Sequence, residues 1–389
     1  MFMRSFIHRI IGFTFIFLLF AGCGNKKNND CKAKKLDEFP ITAGTGEKPQ
    51  SKVWQFKGEW RTVLADKTGT WIWLLKGNRW EKTLHLSDSV NVKADVLPVD
   101  DVVHILLFNG RNTQLVSVEY DSDAKRYEIW SRRPQPANID LEKESETATI
   151  AIDGEGKMWV ASDGDSEMYI RWSNFPYGEW SEPVTVAKGI HRDDICAVTS
   201  FPDGNIGIFW SNQNTQRFGF KIHKAGDNPG KWTEDEIPAS GSALNIHKGM
   251  ADDHINFAVA SDGTLYVAVK TSYDTEGYPL IGLLLRHPDG KWDKLYNVDD
   301  EGSRAIVLLS KKHNCIFVVY SSYRDHEIVC KISNMQNIKF SERVVLIDEE
   351  KGKNSINNVT GPKYTFKDEV VIVASENGTA KSMKVKCER

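Results

Sequence analysis

Asp262-Gly263-Thr264-Leu265-Tyr266-Val267-Ala268-Val269, followed by Gly290-Lys291-Trp292, is the stretch that decides the fold. An Asp-Gly turn feeding a short apolar run is a strand signal. The same order occurs upstream, with Asp203-Gly204 before Ile206 to Trp210 and Gly230-Lys231-Trp232, and again with Asp153-Gly154 before Lys157 to Val160 and Gly178-Glu179-Trp180. The turns step by 50 and then 59 residues, the Gly-x-Trp triplets by 52 and then 60. Two markers that lengthen at the same place define one repeating unit. Weaker copies extend it both ways, through Gly69 to Trp73 and Val102 to Phe108, and through Cys315 to Tyr320 and Val370 to Ala374. About seven units of four short strands each predict an all-β, single-domain β-propeller over residues 36–389. Its last unit lacks a strand, and Phe39 to Thr42 is expected to complete it and close the ring.

Composition agrees with a globular chain. Its 389 residues are 40% hydrophobic, 26% charged and 11% aromatic, with a net charge of −3. That balance excludes a disordered chain and offers no basic face for nucleic acid.

The N-terminus reads as an address. Arg4 and Arg9 precede the apolar run Ile10 to Phe20, which is short for a membrane span. Phe20-Ala21-Gly22-Cys23 resembles the lipobox of bacterial lipoproteins. Residues 1–22 are thus expected to be a signal peptide, Cys23 to carry the lipid, and residues 23–35 to be a flexible tether. The expected location is the bacterial cell envelope, anchored at the outer membrane. Removal of residues 1–22 takes away two arginines and no acids, giving a net charge of −5. In an oxidising compartment Cys31 and Cys387, near the two ends of the mature chain, are expected to pair, whereas Cys196 lies in an apolar strand and is expected to be buried.

Propeller geometry places a site. Residues opening each inner strand and residues closing each second strand surround one mouth of the central channel. Those positions carry Lys93 and Asp95, Glu146, Asp163, Arg192 with Asp193 and Asp194, Asn212 with Gln213, Asp252 with Asp253 and His254, Lys270 with Tyr273, Arg304, Tyr323 with Arg324, and Asn357 with Asn358. A polar, concave mouth suits a ligand. Equally, acids in such loops serve to bond neighbouring backbone amides.

These motifs resemble secreted bacterial propellers related to the BNR-repeat (sialidase-like) family. The resemblance is carried by Lys93 to Val96, Ser145 to Thr147, Asp193 to Ile195, Ile206 to Gln213, Met250 to Asn256, Val267 to Ser272, Arg304 to Val307 and Asn357 to Thr360, within residues 52–375. It implies the fold and the mouth rather than a reaction. Sialidase chemistry is not expected: no Arg-Ile-Pro segment occurs, and the Asp-box survives only in Ser173 to Trp180 with Phe175 and Tyr177 substituted.

Three functions fit an extracellular polysaccharide partner. A lyase would use His254 as base and Tyr273 as acid, with Arg304, Lys270, Asn212 and Gln213 neutralising a uronate carboxylate. A glycoside hydrolase would use two carboxylates among Asp194, Asp253 and Glu146. A non-catalytic glycan binder would use the same mouth, with Arg192, Asp193 and Asn358 among its contacts, or the tryptophans of the first unit, Trp54, Trp60, Trp71, Trp73 and Trp80. The convergence of histidine, acids and cations favours an enzyme. No cofactor is expected; the acids Asp193, Asp194, Asp252 and Asp253 allow a Ca²⁺ ion.

Overall fold

Residues 30–46, 48–348 and 356–388 are described by a computed structural model. Among the described residues the first strands are β1 (Asp30–Lys35) and β2 (Phe39–Pro40), and the strands form seven sheets. Blade 1 holds β3 (Val53–Phe56), β4 (Glu59–Asp66), β5 (Gly69–Lys76) and β6 (Arg79–Ser87). Blade 2 holds β7 (Lys93–Val99), β8 (Val102–Phe108), β9 (Asn112–Asp121), β10 (Arg126–Ile129) and β11 (Ala137–Asp140). Blade 3 is β12 (Ala148–Ile152), β13 (Met158–Asp163), β14 (Glu167–Ser173) and β15 (Val184–Lys188), and blade 4 is β16 (Cys196–Ser200), β17 (Ile206–Asn212) and β18 (Arg217–His223). Blade 5 is β19 (Ile255–Val259), β20 (Leu265–Lys270), β21 (Ile281–Arg286) and β22 (Tyr296–Asp299). Blade 6 is β23 (Ser303–Ser310), β24 (Cys315–Ser321), β25 (Ile328–Asn334) and β26 (Val344–Ile347), and blade 7 is β27 (Asn357–Thr360), β28 (Glu369–Glu376) and β29 (Thr379–Glu388). Every blade is antiparallel; in blade 2 both β10 and β11 pair with β9, and in blade 7 β1 and β2 add to the outer side of β29. The expected propeller is the observed fold.

The apolar core is a ring of inter-blade layers. Along β20, Leu265, Val267 and Val269 pack toward blade 4 while Tyr266 and Ala268 pack toward blade 6. Both strand faces are buried, so these strands read as continuous apolar runs rather than alternating ones. The Gly-x-Trp triplets are wedges between blades. Trp232 of blade 4 packs edge-on against Trp159 of blade 3 at 5.9 Å, and Trp292 of blade 5 against Phe220 of blade 4 at 5.6 Å. The Asp-Gly turns dock as well: Gly154 N–H donates to Gly204 O at 2.9 Å, and a Cβ on Gly154 would stand 2.8 Å from the Gly204 Cα. In blade 1, Trp54, Trp60, Trp73 and Trp80 are buried, which removes them as sugar-stacking surfaces. Trp73 instead stacks obliquely on Phe39 at 4.8 Å.

Ring closure pairs the two ends of the chain, and the expected segment supplies only part of the pairing. β1 runs antiparallel to Met383–Glu388 of β29, whereas Phe39–Pro40 adds a two-residue contact to its start. Residues 30–35 are therefore an outer strand of blade 7, not tether: their backbone amides fill the open edge of β29, which outweighs their polar composition. Cys23 and residues 1–29 lie outside the described residues. Cys196 is fully buried, as expected.

Cys31 stands directly opposite Cys387 in the β1–β29 register, a separation a disulfide accommodates. The Cys315 Sγ lies 3.5 Å from that of Cys387. Non-reducing peptide mapping of the mature, oxidised protein is expected to recover Cys31 joined to Cys387. Reduction should then destabilise the ring by roughly 3–5 kcal/mol. Recovery of Cys387 joined to Cys315, or as a thiol, would overturn that pairing.

Between β2 and β3 the chain leaves the outside of the ring and crosses its centre. Thr45 N–H donates to Ser375 Oγ at 3.1 Å and its hydroxyl to the Asn358 carbonyl. The Lys48 carbonyl accepts from Asn256 Nδ2 at 3.2 Å, Gln50 Nε2 donates to Ala148 O at 2.9 Å, and Ser51 N–H donates to Asp95 Oδ1 at 2.9 Å. Asn358, Asn256, Ala148 and Asp95 sit on the inner strands of blades 7, 5, 3 and 2, so this strap lies inside the channel.

Candidate functional site

The loops that open inner strands and close second strands do converge, and between blades 4, 5 and 6 they enclose a cleft of about 420 Å³. Asp193, Gln213, Asp252, Asp253, Lys270 and Tyr323 line it. At its floor the turn before β19 bends three consecutive polar residues together. His254 Nδ1 lies 2.6 Å from Asp252 Oδ1 and 2.6 Å from Asp253 Oδ1. The outer oxygens are taken by cations: Lys270 Nζ reaches Asp252 Oδ2 at 2.6 Å, where Ser272 Oγ also donates at 3.1 Å, and Lys48 Nζ pairs with Asp253 Oδ2.

Two carboxylates on one ring nitrogen fix the tautomer. Nδ1 must carry the proton and donate, so Nε2 of the neutral ring is left with its lone pair. Nε2 is shielded from solvent and has no hydrogen-bond partner among the described residues. Burial by itself would raise the Asp253 carboxyl, but His254 and Lys48 outweigh it and hold Asp253 well below the usual carboxylate range. For Lys270, burial works to lower the ammonium and the Asp252 charge overrides it, so its pKa is raised. The cluster is a histidine oriented by two ionised acids, which are balanced by two lysines.

Of the residues expected from sequence, the structure brings together His254, Asp253 and Lys270, with Asp193 and Gln213 on the cleft wall. It does not bring Tyr273. That ring is buried in the core between blades 4 and 5, and its hydroxyl accepts from Leu244 N–H at 3.1 Å, because β20 ends before it and turns it inward. Asp194 is also withdrawn. It is fully buried and accepts from Gln213 N–H at 2.8 Å, His191 N–H at 3.1 Å and Gln213 Nε2 at 3.1 Å, bracing the loop that opens β16. Asn212 closes the β17–β18 turn by accepting from Thr215 N–H at 3.1 Å. Glu146 and Arg192 are exposed outside the cleft, and Arg304, held at φ 53°, is half-buried outside it. Asn358 meets the strap at Thr45. Lys48 and Ser272 are functional neighbours that the sequence reading did not assign. Asp252 and Tyr323 were legible only as polar residues of the mouth.

The bland role of loop acids is thus real at several blades. Asp163 accepts from Glu146 N–H at 2.6 Å and Thr147 N–H at 3.0 Å, and burial pushes its carboxyl up to about 7 against those bonds. An acid whose pKa is raised on folding keeps its proton longer in the native state. Its contribution is fully present below the unfolded value near 4 and is lost as pH rises through about 7. Chemical denaturation at pH 5 and pH 8 should therefore show wild type losing stability relative to Asp163→Asn as the pH rises. An equal difference at both pH values would contradict the assignment.

Asp252, Asp253 and His254 also place three potential metal-donor atoms within 4.8 Å of one another. Their chemistry does not fit Ca²⁺. All four carboxylate oxygens already face Lys48, Lys270 or the Nδ1 proton, and two lysines supply the charge that an ion would supply. Asp194 cannot join, being committed to backbone amides.

No protein-family model matches the chain, so the BNR-type resemblance rests on its motifs alone. No curated protein matches it either. Among solved structures, the hydrazine synthase of Kuenenia stuttgartiensis superposes with a TM-score of 0.54 at 11% identity, covering 89% of this chain and 97% of that one. The polysaccharide lyase Uly1 superposes with a TM-score of 0.50 at 8% identity, covering 87% of this chain and 90% of that one. At such identities the likeness is one of fold, and a glycan-cleaving protein is among the proteins that share it.

Proposed function

We propose that the protein binds and cleaves a uronate-containing extracellular polysaccharide by β-elimination at this cleft. The observation that carries the reading is the His254 ring, whose Nδ1 is held by two carboxylates while Nε2 keeps an unpartnered lone pair. Nε2 would take the proton on the carbon beside the uronate carboxylate. That electron pair would form the ring double bond as the glycosidic carbon–oxygen bond breaks. Tyr323, a cleft-lining tyrosine that is 49% exposed, would protonate the departing oxygen. The hydrolase alternative loses support, because a general acid needs a raised pKa. Asp253 is held low, and Asp194, though raised by burial, is enclosed.

The test is incubation of the mature protein with uronate-containing and neutral polysaccharides, followed by ultraviolet absorbance and reducing-end release. Both signals on a uronate polymer support the lyase; reducing ends without absorbance refute it. One observation favours a second reading, glycan capture without cleavage: Nε2 is shielded, so turnover requires the bound glycan to open the cleft floor. Binding with neither signal would establish that reading.

The lipid anchor is part of the same proposal. The run ending at Cys23 supports attachment to the bacterial envelope at the outer membrane, where such polymers are met. Palmitate labelling lost in Cys23→Ser would support it, and labelling unchanged by that substitution would refute it.

A further inference from the structure

The strap that fills the channel ends in the site. Lys48 is separated from Asp253 by 205 residues in sequence, yet their side chains are 8% and 14% exposed and paired. The backbone on which Lys48 rides is pinned at the same place, because Asn256 Nδ2 holds the Lys48 carbonyl while Asn256 Oδ1 accepts from Val307 N–H at 3.1 Å. Farther along the strap, Gln50 and Ser51 are tied to blades 3 and 2. A lysine held at both backbone and ammonium is a fixed charge, not a mobile surface cation.

We propose that Lys48 is a positioning residue of the site: it clamps Asp253 against His254 and so keeps Nδ1 the donor and Nε2 the proton acceptor. This deepens the lyase reading and rests on it for its purpose, but not for its test. His254 faces two anions, Asp252 and Asp253, and those anions face two cations, Lys270 from β20 and Lys48 from the strap. Asp193, Asp274, His247, Lys248 and Tyr323 line the same cleft farther out. With Lys48 removed, the two anions act on the ring against one cation, and the imidazolium is favoured. A base already protonated accepts nothing.

The experiment is nitrogen-15 NMR titration of His254 in the full mature chain, with the resonance assigned through His254→Gln. In wild type the neutral ring should show the Nδ1–H tautomer. Lys48→Met should raise the pH at which His254 titrates by about one unit, Asp253→Asn should lower it, and Lys48→Arg should leave it near wild type. On any uronate glycan that is cleaved, Lys48→Met should move the acidic limb of the kcat profile upward by the same amount, with KM changed less than kcat. Unchanged titration in Lys48→Met, or equal shifts in the Met and Arg variants, would overturn the proposal. So would an Nε2–H tautomer in wild type, a measurement that needs no variant to fold. Absence of turnover on every glycan would overturn the lyase reading while leaving this titration to be decided independently.

Discussion

His254→Gln is expected to reduce kcat on a cleavable uronate glycan by about 10²- to 10⁴-fold, while glycan affinity changes by no more than about threefold. The ring is buried against Asp252 and Asp253, which line the cleft, and one nitrogen is committed to them, so its loss removes the proton acceptor and leaves the cleft wall in place. The folded state should survive, because Lys48 and Lys270 still balance the two acids. Tyr273→Phe is the matching control. Its hydroxyl faces the Leu244 amide within the core, so turnover should stay within about twofold while stability falls by about 1 kcal/mol. A His254→Gln protein that retained a tenth or more of wild-type turnover would remove His254 as the base. A Tyr273→Phe protein that lost turnover as fully as His254→Gln would restore the tyrosine to the chemistry.

Asp95→Ala is expected to be the most destabilising single substitution at the channel. Asp95 is fully buried on β7, and its two oxygens serve three separate parts of the fold. Oδ1 accepts from Ser51 N–H of the strap at 2.9 Å; Oδ2 accepts from Ile150 N–H of blade 3 at 2.9 Å and pairs with Lys363 from the loop after β27. Lys363 Nζ also donates to the Ile150 carbonyl at 3.1 Å. Removing the carboxylate strands a partly buried ammonium and two amides, for a loss of roughly 3–5 kcal/mol. For a domain of this size that lowers Tm by about 5 °C. Thermal denaturation of Asp95→Ala and Asp95→Asn would test it. A shift below about 1 °C in the Ala variant would show that the staple contributes nothing net.

The tryptophans and the mouth residues show where local reading succeeds and where it fails. Gly230-Lys231-Trp232 and Gly290-Lys291-Trp292 recur because each indole fills the gap against the preceding blade. A requirement repeated from blade to blade leaves a period in the sequence. Asp163, Asp194 and Asp253 look alike in sequence, each an acid at the rim of an apolar strand. Two of them turn to backbone amides and one turns to a histidine, and only the loop path separates these outcomes.

From the sequence alone come the ring, its seven units, the turns that begin its strands and the joining of its ends. Those follow from short apolar runs buried on both faces and from turn chemistry, which act over a few neighbouring residues. Tertiary structure alone decided that Asp30–Lys35 supplies most of the closing pairing, that Tyr273 points into the core, and that a strap crosses the channel to set Lys48 on Asp253. The physical reason is range. A lysine and a carboxylate 205 residues apart impose no pattern on the residues between them, and their meeting exists only once the ring has closed around the strap.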